Sequence, residues 1–282
     1  MAAGGSGKKR RRPVCAVTIA ASDSGAGAGV QGDLLTFAAH GVYAATVLTA
    51  VTAQNTKSVT GIEPLSARII GKQIDAVFSD FRPAAVKIGM LCDGPRVEAV
   101  ARGLRRHRAS NVVLDPVMIS KSGARLLSRE GVASLKRALF PLCDLVTPNL
   151  PEAETLSGMR IRSEADRWRA AGAIADQGPR AVLIKGGHGK GGVVSDLLFD
   201  GETLTIFSSP RIRTRATHGT GCALSSAIAA NLALGRGLHD SVERAIAYLR
   251  AALAHGVFPG RGFGVPEHLH RPAAPAGRLS KP

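Results

Sequence analysis

A three-layer α/β/α sandwich, with a mainly parallel central sheet in a single domain, is the fold class the sequence predicts. Three observations carry it. Short apolar runs recur along the chain, and segments with helical spacing separate most of them. Glycine (33 residues) and alanine are plentiful while aromatic residues make up only 4%, which suits helices lying close on a sheet and turns that need positive φ. With 282 residues, 45% of them hydrophobic, the chain can bury a sizeable core.

The first run, Val14-Cys15-Ala16-Val17-Thr18-Ile19-Ala20, is partly β-branched and ends in small and polar residues, as a buried strand does. Similar runs lie at Ala45 to Val51, Ala85 to Ile88, Val112 to Leu114, Leu145-Val146, Ala181 to Ile184 and Val193 to Phe199. Helical spacing covers Gln31 to Ala39, Ser66 to Phe78, Arg96 to His107, Glu130 to Phe140, Ser163 to Gln177, Cys222 to Leu234 and Ser241 to Ala254. Alternating strands and helices build βαβ units, so ligands are expected at the carboxyl ends of the strands. No internal repeat or linker interrupts residues 14–270, which are read as one domain. Residues 1–13 read as a disordered basic arm and 271–282 as a flexible tail.

The formal charge of +16 raises a nucleic-acid reading, that of a nucleic-acid-binding protein on this fold. Placement counts against it. The run Lys8-Lys9-Arg10-Arg11-Arg12 follows a Gly/Ser-rich stretch, and Arg102, Arg105, Arg106 and Arg108 sit on one surface helix. Both read as solvated charge. Cys15, Cys92, Cys143 and Cys222 are widely spaced without a C-x-x-C pair, so neither a disulfide framework nor a zinc ribbon is indicated. No apolar run is long enough to span a bilayer, and a reducing cytoplasm is the expected location.

Four segments carry chemistry. Thr217-His218-Gly219-Thr220-Gly221-Cys222 runs into a strong helix former, so the free N–H groups of Gly219, Thr220, Gly221 and Cys222 converge on an anion hole at a helix start. A glycine-containing loop with Thr220 as N-cap reads the same residues without function. Cys222 lies in the first turn, where the helix dipole is expected to lower its thiol pKa and suit it to accept a hydroxyl proton; a buried structural cysteine is the alternative. In Val182-Leu183-Ile184-Lys185-Gly186-Gly187-His188 a strand ends in a lysine able to reach a nucleotide phosphate, or simply to hold its charge in water. It is not a Walker A loop, since Gly189-Lys190 is followed by Gly191 and not by Ser or Thr.

In Thr147-Pro148-Asn149-Leu150-Pro151-Glu152-Ala153-Glu154, Asn149 and Glu152 have the spacing of an N-cap and its capping-box acid. At a strand's carboxyl end the same pair could hold a hydrated Mg²⁺. The glycine-rich Ala21-Ser22-Asp23-Ser24-Gly25-Ala26-Gly27-Ala28-Gly29-Val30-Gln31-Gly32-Asp33 permits close backbone approach but fits the dinucleotide pattern poorly. Asp33 and Gln54 are polar groups between apolar runs, able to hydrogen-bond a heteroaromatic ring or to lie on surface loops.

These segments, in this order, together with Thr52-Ala53-Gln54-Asn55-Thr56, Val86-Lys87-Ile88-Gly89-Met90-Leu91, Val112-Val113-Leu114-Asp115-Pro116-Val117-Met118 and Lys121-Ser122-Gly123, resemble the ribokinase-like kinases. Within them the chain resembles the hydroxymethylpyrimidine and phosphomethylpyrimidine kinases of thiamine biosynthesis, from about Val17 to His270. The resemblance implies ATP-dependent phosphorylation of 4-amino-5-hydroxymethyl-2-methylpyrimidine and then of its monophosphate, with pyridoxal kinase as the nearest alternative activity.

By position it implies Asp33, Gln54, Met90, Val117, Ala21 and Ala28 around the pyrimidine. It implies Lys185, Asp115, Asn149 and Glu152 around ATP and Mg²⁺, with Glu152 as the metal residue directly or through water. Gly219, Thr220, Gly221 and Cys222 would form the catalytic anion hole, Cys222 standing where sugar kinases of the superfamily carry Asp. A homodimer and a monovalent-cation requirement are further expectations of the resemblance. Ala21 and Ala26 stand where that family usually has glycine, and the stretch Gly262 to His268 follows its closing pattern only loosely.

Overall fold

The computed structural model describes residues 12–188 and 191–270. The expected basic arm up to Arg11, the tail from Arg271 and the pair Gly189-Lys190 lie outside the described residues.

The first apolar run becomes β1 (Cys15–Asp23), longer than the pattern predicts because it continues into the glycine-rich segment. The helix that follows, α1 (Gly29–Ala39), opens inside that segment on Gly29, whose φ is +57°. Asp33 therefore lies on this helix, as the helical spacing from Gln31 predicts, and the helix starts two residues earlier than that spacing. β2 (Tyr43–Gln54) pairs in parallel with β1 and turns back into β3 (Val59–Pro64), an antiparallel edge strand.

Next come α2 (Ala67–Asp80), β4 (Ala85–Ile88), α3 (Gly94–His107) and β5 (Val112–Leu114). α4 (Arg129–Ser134) continues through a π-helical turn, Leu135–Leu139, where one helix is expected. β6 (Leu145–Val146), α5 (Leu150–Ser157), α6 (Glu164–Ala175) and β7 (Val182–Ile184) complete the parallel part. β8 (Val193–Phe199) and β9 (Leu204–Pro210) form an antiparallel ribbon ahead of α7 (Thr220–Ala233) and α8 (Leu238–Ala254).

The strand order is β3-β2-β1-β4-β5-β6-β7-β8-β9. Pairing is parallel from β2 through β7 and antiparallel at both margins. β3 and β9 are the strands the sequence pattern does not reveal. Neither has a fully buried residue, β9 alternating between exposed and half-buried positions and β3 doing so only irregularly, so neither forms the continuous apolar run that marks a doubly covered strand.

Two apolar layers flank the sheet. On one face Ile70, Ile74, Val97, Leu104, Leu139 and Ile174 pack on β1, β4, β5 and β7; on the other Phe37, Leu224, Ile228 and Val242 pack on the alternate residues of the same strands. This is the predicted three-layer sandwich. The carboxyl ends of β1, β4, β5 and β7 and the start of α7 then gather at one rim, and the chemistry-bearing residues gather with them.

Candidate active site

Gly219 caps α7 with a φ of +79°, a conformation that excludes a side chain, and a Cβ there would stand 1.8 Å from the Gly27 carbonyl oxygen. The start of α7 is thus pressed onto the glycine-rich loop after β1. The cap is Gly219 and not Thr220, whose hydroxyl donates to the Thr217 carbonyl at 3.3 Å. Thr220, Gly221 and Cys222 form the first turn of the helix, and their N–H groups open on the rim.

Facing that turn, Lys185 Nζ donates to Asp115 Oδ1 at 2.6 Å. A Cβ on Gly221 would lie 3.2 Å from Asp115 Oδ2 and 3.3 Å from Lys185 Nζ, so glycine keeps the pair against the helix start. Lys185 is reached from β7 and Asp115 follows β5, both at carboxyl strand ends. Burial alone would pull the Lys185 ammonium down, and the charges of Asp115 and Glu152 outweigh it and raise it.

Glu152 stands in the first turn of α5, where it forms a full capping box with Asn149. Asn149 Oδ1 accepts from the Glu152 N–H at 3.0 Å, and Glu152 Oε2 accepts from the Asn149 N–H at 2.8 Å. Burial, opposed by Lys185 and reinforced by the Asp115 charge, pushes the Glu152 carboxyl up to about 7. The capping geometry is therefore present, and the same carboxyl also faces the Lys185–Asp115 pair.

Below the helix start lies an ion pair sealed from solvent. Lys87 Nζ donates to both Asp33 oxygens, at 2.9 and 2.8 Å, and both side chains are 0% exposed. Asp33 also accepts from Thr18 Oγ1 at 2.5 Å and Ser226 Oγ at 2.7 Å. This corrects the expectation that Asp33 touches a pyrimidine ring: its oxygens are occupied by four donor contacts from within the protein. The α1 turn that the glycine-rich segment supplies carries Asp33 under the site, where it holds Lys87.

The Cys222 thiol is also corrected. Burial pushes it up, Lys87 and the Gly29 N–H pull it down, and the Asp33 and Asp115 carboxylates push it up, giving about 11. The helix dipole is outweighed, so the resting group is a thiol and not the thiolate the helix position suggests.

At the other end of the rim, Gln54 closes β2. His218 Nε2 lies 2.9 Å from Asp23 Oδ2 and 3.2 Å from the Gln54 amide nitrogen. Asp23 Oδ1 accepts from the Gly25 N–H at 2.8 Å and Oδ2 from the Ala28 N–H at 2.9 Å. Burial raises the Asp23 carboxyl, and the bonds from His218, Gly25 and Ala28 more than reverse this, so it is held below the usual range. Ala21 and Met90 are buried with Ala50 in a small apolar cluster, and Val117 is partly buried just past β5, its N–H donating to the Asp115 carbonyl at 2.8 Å. The sequence-expected residues thus come to one rim with Asp33 beneath it.

The chain matches the phosphomethylpyrimidine kinase family over residues 23–267. The chain belongs to that family. It is 51% identical to the hydroxymethylpyrimidine/phosphomethylpyrimidine kinase of Rhizobium meliloti, over 91% of this chain and 97% of that protein. It is 46% identical to the Bacillus subtilis kinase of the same name, over 90% and 94%. Among solved structures, the phosphomethylpyrimidine kinase of Clostridium difficile superposes with a TM-score of 0.75 at 42% identity, covering 84% of this chain and 97% of that one. The pyridoxal kinase of Bacillus subtilis, solved as an ADP complex, superposes with a TM-score of 0.84 at 35% identity, covering 90% and 97%.

In this member of the phosphomethylpyrimidine kinase family, sequence reasoning left three site residues without a role: Lys87, His218 and Asp23. A signal for Lys87 was available. It is a lone cation in Ala85-Val86-Lys87-Ile88, a run otherwise made to be buried, and a buried lysine requires a carboxylate partner. His218 and Asp23 are far apart in sequence and carry no such mark.

Proposed function

We propose that this kinase transfers the γ-phosphoryl group of ATP to the hydroxymethyl of 4-amino-5-hydroxymethyl-2-methylpyrimidine, and then a second phosphoryl group to the resulting monophosphate. The observation that carries this reading is the apposition of an anion-binding helix start, Gly219 to Cys222, with the Lys185–Asp115 pair on one side and Gln54 on the other. Phosphoryl transfer asks the protein mainly to position the reactants and to stabilise charge. The N–H groups of Gly219 to Cys222 meet the charge that spreads over the transferred group, and Lys185 meets a nucleotide phosphate. The all-oxygen pair Asp115 and Glu152 suits a hydrated Mg²⁺, and the raised Glu152 carboxyl is of the kind a cation would ionise. Mg²⁺ would shield phosphate charge there. Gln54, Met90, Val117, Ala21 and the Ala28 backbone surround the ring position.

In the first transfer the hydroxymethyl oxygen bonds to phosphorus, ADP leaves, and the hydroxyl proton passes to Cys222, which is a thiol at rest and acts as base only after its own proton has gone to solvent. In the second the acceptor is a phosphate oxygen that is already ionised, so no proton needs removing. Cys222→Ala is therefore expected to lower kcat of the first step by about 10²–10⁴ while leaving the second step within a few-fold and KM for ATP unchanged. Separate assays on the alcohol and on the monophosphate check this; equal loss in both steps rejects the base role.

A second reading, phosphorylation of pyridoxal, is favoured by the TM-score of 0.84 to a pyridoxal kinase. Turnover of the pyrimidine and of pyridoxal side by side with Mg-ATP decides between them, with higher kcat/KM for the pyrimidine expected. Preference for pyridoxal overturns the first reading.

A further inference from the structure

The contacts of Gln54 require one orientation of its amide. The carboxylate of Asp23 is held in its ionised form and can only accept, so His218 Nε2, 2.9 Å from Asp23 Oδ2, carries a hydrogen. That nitrogen then has no lone pair for the Gln54 amide nitrogen 3.2 Å away. At the other end of the amide, Thr52 Oγ1 lies 3.2 Å from Gln54 Oε1 and 2.9 Å from the Ser22 carbonyl. The single Thr52 hydroxyl hydrogen goes to Ser22, the nearer and purely accepting partner, and leaves a lone pair facing Gln54. Both ends conflict with this setting of the amide, and a half-turn of its terminal torsion relieves both: the NH₂ meets the Thr52 lone pair, and the amide oxygen faces the one Nε2 hydrogen, which goes first to Asp23 at 2.9 Å and is shared with Gln54 at 3.2 Å. The backbone does not move in this exchange, because Ser24 Oγ donates to the Gln54 carbonyl at 2.6 Å and accepts from its N–H at 2.8 Å.

We infer that His218, anchored by Asp23, is a positioning residue that turns the Gln54 carbonyl toward itself and the Gln54 NH₂ toward Thr52, and thereby sets which way round the pyrimidine binds. This rests on the reading that Gln54 contacts the ring. On a 4-amino-5-hydroxymethylpyrimidine the amino donor lies between the N3 acceptor and the hydroxymethyl-bearing carbon. A carbonyl on the His218 side draws the amino group to that side and places the hydroxymethyl beyond it, toward Gly219 to Cys222. The opposite amide setting places N3 beside His218 and sends the hydroxymethyl toward Thr52, away from the anion hole. His218 thus links ring recognition to the transfer end of the rim, which it adjoins in sequence.

The test uses His218→Phe, which keeps a ring against Gly27, where a Cβ would meet His218 Cδ2 at 2.4 Å, and removes the donor. His218→Gln restores an N–H donor. Substrates are the 4-amino compound and its 4-oxo analogue, whose donor and acceptor edge is reversed. His218→Phe is expected to lower the amino-over-oxo ratio of kcat/KM on the order of tenfold, as for loss of one such hydrogen bond, with KM for ATP unchanged. His218→Gln recovers part of the ratio. An unchanged ratio, or a parallel rise in KM for ATP, overturns the inference. Gln54→Ala, run alongside, separates the two levels: if it leaves KM for the pyrimidine unaltered, the contact itself is wrong and the orientation falls with it.

Discussion

Lys87 and Lys185 both pair with a carboxylate at the site, yet their removal should have different consequences. Lys87 is sealed with Asp33, so Lys87→Met strands a buried carboxylate and is expected to cost about 3–5 kcal/mol. Urea unfolding measures this, and Asp33→Asn added to Lys87→Met should return part of the loss by removing the stranded charge. Lys185, 12% exposed beside Asp115, lies where water and a nucleotide can reach it. Its removal should be felt in ATP binding more than in folding. Locally the two lysines differ only in that Lys87 stands inside its apolar run and Lys185 at the end of one. Each ends or interrupts an apolar run, and only the fold puts one beneath α7 and the other beside it. The same holds for Asp33, whose polarity among apolar neighbours announced a partner but not whether that partner was a substrate or Lys87.

At the scale of elements, the start of α7 and the capping box of α5 carry opposite lessons. Gly219→Ala places a side chain at a φ of +79° and against the Gly27 carbonyl, so it should lower Tm and abolish activity together. Gly221→Ala meets only the tips of Asp115 and Lys185, and should raise KM for ATP while Tm stays near that of the parent. Thermal melts with kinetics on both variants check the contrast.

In α5 the Asn149–Glu152 box was legible from spacing, because capping is a local exchange of hydrogen bonds. The Glu152 carboxyl, raised from 4.5 to about 7, was not, because burial is set by distant chain. A carboxyl raised on folding holds more protons in the native state, so stability falls as pH rises from about 4.5 to about 7 and the penalty is complete above it. Glu152→Gln keeps an acceptor for the Asn149 N–H and loses the charge. It should be more stable than the parent by on the order of 2 kcal/mol at pH 8, with the difference shrinking toward pH 4.5. Denaturant unfolding across this range measures it.

At the scale of the whole molecule, the sheet brings Lys185 at the end of β7, Asp115 after β5 and the start of α7 to one place, so a nucleotide bound there should stabilise the fold as a unit. At a hundred times its Kd a ligand adds about 2.7 kcal/mol, or a rise in Tm of roughly 5–10 °C for a domain of this size. Mg-ADP should produce that rise in the parent, and Lys185→Met should reduce it at the same nucleotide concentration.

Periodicity and glycine placement sufficed for the layered fold, the doubly covered strands and the place where α7 begins, because these depend on neighbours within a turn or a strand. The edge strands β3 and β9 were silent, since a strand covered on one side leaves only a weak alternation. The charge state of Cys222, the sealing of Asp33 with Lys87 and the Asp23–His218–Gln54 contact emerged only from packing. Each depends on burial and on charges brought from distant parts of the chain. The helix start at Gly219 to Cys222 shows both origins: its N–H groups follow from local sequence, and its thiol stays protonated because the fold buries it and sets Asp33 and Asp115 against it.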